Sequence, residues 1–340
     1  MKQKKTKRTY RLRNWSQYNK ALVRRGSLTI WISEDVLSQW HNGARTGKRG
    51  KPLDYTDTAI LCMATLAEVY HLPLRATEGL TRSVVRLLGV CLSVPDYTTL
   101  CRRRRSLEVE LPRRKKSEPL HMVVDSTGIK VYGEGEWKVR QHGVSKRRTW
   151  RKLHLGVDEA TLEFVAVVVS TNSFKDSQVL PDLLEQVADE IEQVSADGAY
   201  DSRNCYDAIR EREARAAIPP QKRARIWQHG NMKAERHIRD ENLRAIRKKG
   251  RREWKRESKY HRRSLAETQV FRVKTIFGER VSARSFAGQA AQMLVRCATL
   301  NRMTHLGMPD SYKVAALELF SWGMGCAHPY LCNKVSTRYE

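Results

Sequence analysis

The segment from Tyr260 to Lys274 constrains this chain more than any other: Tyr260-His-Arg-Arg263-Ser-Leu-Ala-Glu267-Thr-Gln-Val-Phe-Arg-Val-Lys274. An α-helix turns about 100° per residue. With Tyr260 at the origin, Arg263 falls at about 300°, Glu267 at about 340° and Lys274 at about 320°, all on one narrow face. Leu265, Ala266, Val270, Val273, Ile276 and Phe277 fill an arc from about 140° to 280°. One helix thus offers an apolar face for burial and a polar face on which a carboxylate stands among cations and a phenol. Such a face suits an acid that binds a metal while its neighbours hold phosphates. Taken alone, it could also be the salt-bridged outer face of an ordinary amphipathic helix.

The whole-chain charge narrows the choice. The 340 residues can bury a full core and suggest two domains. A formal net charge of +27 points to nucleic acid as the partner. No run of 18 or more apolar residues occurs, so no membrane partner is expected. The start, Met1-Lys-Gln-Lys-Lys-Thr-Lys-Arg8, has the charge of a signal peptide without its apolar core. Cys62, Cys91, Cys101, Cys205, Cys297, Cys326 and Cys332 show no Cys-x2-Cys spacing and read as free thiols in a reducing cytoplasm.

The charge is unevenly spread. Residues 1–50 carry 13 Lys/Arg against 2 Asp/Glu, residues 51–100 carry 4 against 5, and residues 221–263 carry 17 against 5. We therefore read a basic N-terminal arm over 1–50 and a helical DNA-binding module over 51–112. Three helices are predicted there: Thr56 to Tyr70, Leu74 to Leu88 with a possible break near Gly79 and a C-cap at Gly89, and one after Asp96 carrying Arg102, Arg103, Arg104 and Arg105. Short helices ending on a basic one suggest a helix-turn-helix-like module whose last helix lies on DNA. After a linker near 115–119 the periodicity turns to strands. His121 to Asp125 is one, and Lys152 to Asp158 with Phe164 to Val169 form a hairpin. A helix over Asp176 to Glu192, a strand over Gln193 to Gly198, a helix over Ser202 to Arg215 and a short strand at Ala216 to Ile218 complete a mixed α/β domain over 119–310. Residues 221–257 form a basic insertion, either helical or a strap that orders on DNA.

Three acids stand out. Asp125 ends the first strand in Val-Val-Asp-Ser-Thr-Gly128, and Asp197 ends a later one in Ser-Ala-Asp-Gly-Ala-Tyr-Asp201. Strand C-termini are where α/β sheets gather their sites. Glu267 can reach the same edge from its helix. Carboxylates and waters are the ligands Mg²⁺ prefers, and two such ions about 3.5–4 Å apart clamp an in-line displacement at phosphorus. Either Asp alone reads more simply as a turn acid; the three together point to a metal triad.

These segments, with Gly133-Glu-Gly-Glu-Trp137-Lys-Val-Arg140-Gln-His-Gly143 and Trp150-Arg-Lys-Leu-His154-Leu, resemble DDE transposases of bacterial insertion sequences, and most of all the insertion-sequence-five family. The Tyr-x2-Arg-x3-Glu-x6-Lys pattern is the most specific part of the likeness, which covers roughly residues 10 to 310. It implies a ribonuclease-H-like catalytic domain and two Mg²⁺ (or Mn²⁺) ions. It also implies binding to the terminal inverted repeats of an element in the bacterial cytoplasm, on the nucleoid. Asp125, Asp197 and Glu267 match the catalytic, metal-holding acids; Tyr260, Arg263 and Lys274 match the helix positions that support the site and contact DNA. Residues 311–340 resemble nothing in that family and form an atypical tail.

Further candidates follow from residue types. Trp137 beside Lys146, Arg147 and Arg148 can stack a base while holding phosphates, or simply pack under a loop. His142 and His154 are read as packed, Asp158 as a hairpin-turn residue, and Asp201 as the N-cap, with Ser202, of the next helix. The functional expectation is a transposase that cleaves 3′ ends and transfers strands into target DNA, acting as a homodimer on double-stranded DNA. A metal-dependent nuclease of the same fold, and a non-catalytic basic regulator, are the alternatives.

Overall fold

The computed structural model describes residues 9–43, 54–114, 118–131, 150–228 and 236–314. Strand β1 (Thr9–Leu12) precedes α1 (Trp15–Arg25), α2 (Leu28–Trp31), α3 (Glu34–Ser38), α4 (Asp57–Val69), α5 (Leu74–Leu87) and α6 (Tyr97–Arg103). Then follow β2 (Leu120–Val131), β3 (Trp150–Asp158), β4 (Phe164–Thr171), α7 (Asp176–Glu185), β5 (Ile191–Ser195), α8 (Arg203–Glu211) and β6 (Arg215–Ala217). The last part comprises α9 (Ile238–Lys249), α10 (Arg251–Glu257), a 3-10 turn (Tyr260–Arg263), α11 (Ser264–Phe277), β7 (Arg280–Val281), α12 (Phe286–Leu306) and β8 (Ser311–Val314).

Residues 1–16 and 309–340 make one unit and residues 17–308 another. In the first, β1 pairs antiparallel with β8, and Arg13 lies over the Tyr312 ring at 5.3 Å. Of the atypical tail only this strand is described; residues 315–340 lie outside the described residues.

The larger unit is mixed α/β. Its sheet runs in the order β4-β3-β2-β5-β6; β4, β3 and β2 are antiparallel neighbours, while β2, β5 and β6 are parallel ones. Strand β7 runs parallel to the far end of β2, pairing Lys130 with Arg280. This arrangement is compatible with a ribonuclease-H-like domain. The β3–β4 hairpin forms as the alternation of the sequence suggests. Strand β2 is longer than expected and does not end at Asp125. Ser-Thr-Gly reads as turn chemistry, yet Ser126 to Lys130 stay paired with His154 to Trp150. Thr127, Ile129 and Val131 supply the β-branched alternation that sustains the ladder. Asp125 therefore sits inside the strand. Helix α7 stops at Glu185, short of the expected Glu192, because Ile191 starts β5. Helix α5 passes Gly79 without a break and ends at Gly89, whose φ of +68° suits a residue without Cβ.

Each face of the sheet covers a core. On one side Met122, Val124 and Val194 meet Leu180, Leu183 and Leu184 of α7 and Tyr206 and Ile209 of α8. Here Gly156 of β3 leaves room for Met122, whose terminal methyl would lie 2.1 Å from an added Cβ and would have to shift. On the other side Val123, Ile129, Leu153 and Leu155 meet Ala266, Val273 and Phe277 of α11 and Met293 and Leu300 of α12. Ile60, Met63 and Leu66 of α4 belong to that second cluster, as do Trp31 and Trp40 from the stretch read as a basic arm. Buried residues on both sides of the linker near 115–119 thus belong to one cluster.

Helix α12 is nearly all buried, and its polar side chains are used. Arg296 Nε donates to Glu68 Oε2 at 2.6 Å, Gln292 Nε2 donates to Glu68 Oε1 at 2.9 Å, and Asn301 brackets the backbone of Phe164. Breaking a buried pair by removing one partner strands the other charge and costs about 3–5 kcal/mol. Glu68→Ala should lower the unfolding free energy by that amount in a urea titration. Replacing both partners with leucine should cost less than the single change. A loss under about 1 kcal/mol for Glu68→Ala would show that this pair does not hold α4 to α12.

Candidate active site

Parallel pairing brings the first two acids together. Val123 of β2 pairs with Ser195 of β5, so Asp125 and Asp197 each lie two residues further along neighbouring strands. Alternation puts them on the same face as Val123, the face α11 covers. Asp197 lies just past the end of β5 in extended backbone (φ −80°, ψ 179°), where its Oδ1 accepts the Ala199 N–H at 2.9 Å. Glu267 stands in the first turn of α11.

Arg263 links this cluster. Its Nη1 lies 3.6 Å from Asp125 Oδ1, and its Nη2 donates to Glu267. Burial works against the Arg263 charge, but Tyr260, Asp125 and Glu267 outweigh it and hold its pKa above the usual arginine value. Burial raises the Asp125 pKa; Asp197 and Glu267 add to the rise, and the Ser126 N–H and Arg263 oppose it. Asp125 therefore feels both other acids. Burial likewise raises the Tyr260 pKa. Its ring packs 6.1 Å from Trp254, with Lys255 Nζ 4.8 Å from its centroid.

One expectation about this segment is corrected. Tyr260 to Arg263 form a 3-10 turn, entered through Lys259 at φ +53°, and only Ser264 onward is α-helical. A 3-10 turn advances faster than 100° per residue, so the helical wheel applies to Glu267 and Lys274 but not to the two residues before them. The apolar arc behaves as expected, with Ala266, Val273 and Phe277 buried. Lys274 is half-buried two turns beyond Glu267.

The donor chemistry fits a hard divalent cation, since all three acids offer carboxylate oxygens. The Tyr200 hydroxyl adds an independent sign. It is buried beside Asp176, Asp125 and Asp197 and has no hydrogen-bond partner among the described residues. Such a donor suits the water shell of a bound cation. Among the described residues no three metal-ligating side chains converge tightly as they stand. Arg263 bridges Asp125 and Glu267 instead.

The remaining candidates are scattered. Arg103 pairs with Asp57 at 2.7 Å, and Arg104 is buried, its pKa lowered by that burial. Arg102 and Arg105 are exposed. Trp137, His142, Lys146, Arg147 and Arg148 lie outside the described residues. His154 is buried with Nε2 2.8 Å from Ser170 Oγ, and Asp158 accepts from Ala160 N and Thr161 Oγ1 within its turn.

Asp201 is not a helix cap. Ser202 takes that position, and Asp201 binds Arg239 of α9, whose Nε donates to Oδ1 at 2.7 Å. The Arg239 guanidinium also stacks 3.9 Å over Trp227, while Asp240 accepts from the Trp227 and Gln228 amides. Its described residues show the basic insertion as two helices docked on the sheet, with α9 following β6 and Trp254 buried, and not as a loose strap. The four-residue spacing of Asp197 and Asp201 was the sequence signal, and an arginine 38 residues away gave no hint of its partner.

The sheet thus carries two acids on adjacent parallel strands and a third on the covering helix, within a domain whose family models imply a nucleotidyl-transferase type of enzyme. Two family models, each described as a transposase DDE domain, match residues 23–134 and 116–302. The chain belongs to the DDE transposases. Among the described residues no helix is long and apolar enough to cross a membrane.

Arg239→Met would strand Asp201, whose side chain is 2% exposed. We expect it to free the insertion, read as faster limited proteolysis within residues 221–257. Unchanged cleavage there would show that the pair does not moor α9.

Proposed function

We propose that the chain binds the terminal inverted repeats of an insertion sequence of the insertion-sequence-five type, cuts the strand at each 3′ end and joins the freed end to target DNA. The observation that carries this reading is the cluster of Asp125, Asp197 and Glu267 under α11, all within the matched residues 116–302. These three acids would hold two Mg²⁺ or Mn²⁺ ions. Such ions supply Lewis acidity to the attacking and leaving oxygens.

In the first step a water oxygen attacks phosphorus, the bond to the 3′ oxygen breaks, and a 3′-hydroxyl and a 5′-phosphate result. In the second, that 3′-hydroxyl attacks a target phosphate and displaces the target's own 3′ oxygen. Asp125, Asp197 and Glu267 serve as carboxylates, Asp125 despite the burial that raises its pKa. Arg263 can exchange a carboxylate for a phosphate oxygen, a pairing guanidinium groups favour. Tyr260 supports Arg263 and Lys274 extends the cationic face along α11.

Further DNA contact is assigned to basic surfaces. An open groove of about 630 Å³ is lined by Lys249, Arg252, Glu253, Arg256 and His261, next to the Tyr260 turn. Arg102 and Arg105 are the exposed members of the arginine run that follows α4 to α6, the helices read as helix-turn-helix-like. Two ends must meet in one reaction, so we infer that a homodimer assembles on DNA.

The test is incubation of purified protein with a labelled duplex bearing an element end. Nicking and then joining should depend on Mg²⁺ or Mn²⁺. Glu267→Gln should slow both by at least about 10²-fold while end binding persists. Nicking without joining would indicate a nuclease; binding without either would indicate a regulator. Replacing Arg252 and Arg256 with alanine should weaken binding to all duplexes alike and flatten the salt dependence by about one unit per lost phosphate contact. An unchanged slope would remove the groove from the interface.

A further inference from the structure

We propose that His121 is a positioning residue that locks the elements carrying the three acids into one arrangement; the inference rests on the phosphoryl-transfer reading above. His121 lies on β2, four residues before Asp125 and on the same face. Its Nε2 is 2.8 Å from Ser195 Oγ, on β5 two residues before Asp197. Its Nδ1 is 3.4 Å from Glu159 Oε2, at the β3–β4 turn, and its carbonyl accepts the Glu159 N–H at 3.0 Å. Gln193 Nε2 donates to Ser195 Oγ at 3.0 Å and to the Ser258 carbonyl at 2.9 Å, just ahead of the Tyr260 turn. Glu159 also accepts from Arg262, the neighbour of Arg263. Through these partners one imidazole links β2, β5 and the hairpin turn to the chain at Ser258, before the Tyr260–Arg263 turn, and at Arg262, within it.

A neutral imidazole gives each donor an acceptor, and Gln193 Nε2 also lies 3.1 Å from His121 Nε2, which ties the amide to the ring directly. The Glu159 carboxylate can only accept, so Nδ1 carries the hydrogen. Nε2 then accepts from the Ser195 hydroxyl. Ser195 Oγ in turn accepts from Gln193, whose second hydrogen goes to Ser258. The order serine, histidine, acid is also that of a hydrolase relay. Ser195, however, is fully buried, so no substrate reaches its oxygen. The geometry is one of fixation.

Stability alone does not call for this network. Leu120, Met122, Val123 and Val194 already supply β2 and β5 with apolar cores, and apolar side chains could fill the polar positions without a need for partners. A satisfied polar network instead specifies direction. What it specifies here is the placement of the 258–263 turn, and with it Arg263 and Glu267, relative to Asp197.

The test uses the full chain with His121→Phe, His121→Gln, Glu159→Gln and the double change His121→Phe/Glu159→Gln. Single-turnover cleavage of the end duplex in saturating Mg²⁺, affinity for the same duplex in EDTA, thermal midpoint and amide hydrogen exchange are measured. His121→Phe should cut at least about tenfold more slowly, because small misplacements of reacting groups are costly. Its affinity should stay within about twofold of wild type. The double change should be no slower than the worse single one, as expected for members of one network. His121→Gln, which keeps a donor and an acceptor, should recover part of the rate. Exchange should rise over residues 258–263 and not in α12. Wild-type cleavage by His121→Phe, parallel loss of rate, affinity and melting temperature, or multiplicative effects would overturn the proposal. So would unchanged exchange over 258–263, whatever the activity. A wild-type protein without metal-dependent cleavage would sink the functional reading instead.

Discussion

Parallel pairing of β2 with β5 is the contact on which the rest of the site depends. Val123 opposite Ser195 fixes the register, and a slip of one residue would turn every side chain of one strand to the other face. Asp125 would then point into the core under α7, and Val124 would take its place beneath α11. The two apolar clusters oppose such a slip, because Met122 and Val124 fill one core while Val123 and Ile129 fill the other. Burial of ordinary aliphatic side chains thus sets where the acids stand. The energy comes from the core, and the precision from alternation along the strand.

The same economy governs the charges. A chain of net charge +27 must keep its cations apart or pair them where they are enclosed. Arg296 meets Glu68 inside the helical side of the core, and Arg239 meets Asp201 beneath Trp227. Among the described residues Arg104 and Arg272 are enclosed without so close an acid, and burial lowers the pKa of both, that of Arg272 to about 10. The other insertion cations lie mostly on the outer sides of α9 and α10, several of them in short-range pairs such as Arg256 with Glu253. Two buried ionic contacts hold the scaffold, and the surplus remains at the surface for a polyanion.

Much of this could be read in the sequence. The hairpin, α4 to α6 and the apolar face of α11 follow from periodicity and caps, which are local. What escaped reading was non-local or decided by competition. Ser126 to Gly128 look like a turn until β3 pairs with them. Tyr260 and Arg263 look helical until the left-handed Lys259 sets a tighter turn. Asp201 looks like a cap until Arg239 folds back to it. The linker near 115–119 looks like a domain boundary, yet the helices before it bury the same cluster as the sheet. In each case a partner distant in sequence outweighed a sound local preference.

The electrostatics of the cluster connect the fold to its chemistry. Asp125 and Asp197 lie on the sheet face that α11 covers, α11 carries Glu267, and Arg263 bridges Asp125 and Glu267. The cluster is therefore a negative spot on a strongly positive protein. Long-range attraction brings a DNA backbone to the surface, but solvent ions screen it beyond about 10 Å at ordinary ionic strength. Close to the acids the local field takes over, and it repels a phosphodiester. Moving Arg263 from Glu267 to a phosphate would help the DNA and leave the carboxylates less compensated. In the reaction proposed above, added positive charge among the carboxylates would resolve that conflict, and their oxygen ligands suit hard divalent cations. On this view the surface charge delivers the substrate, the sheet register assembles the acids, and Arg263 balances them until cation and phosphate arrive together.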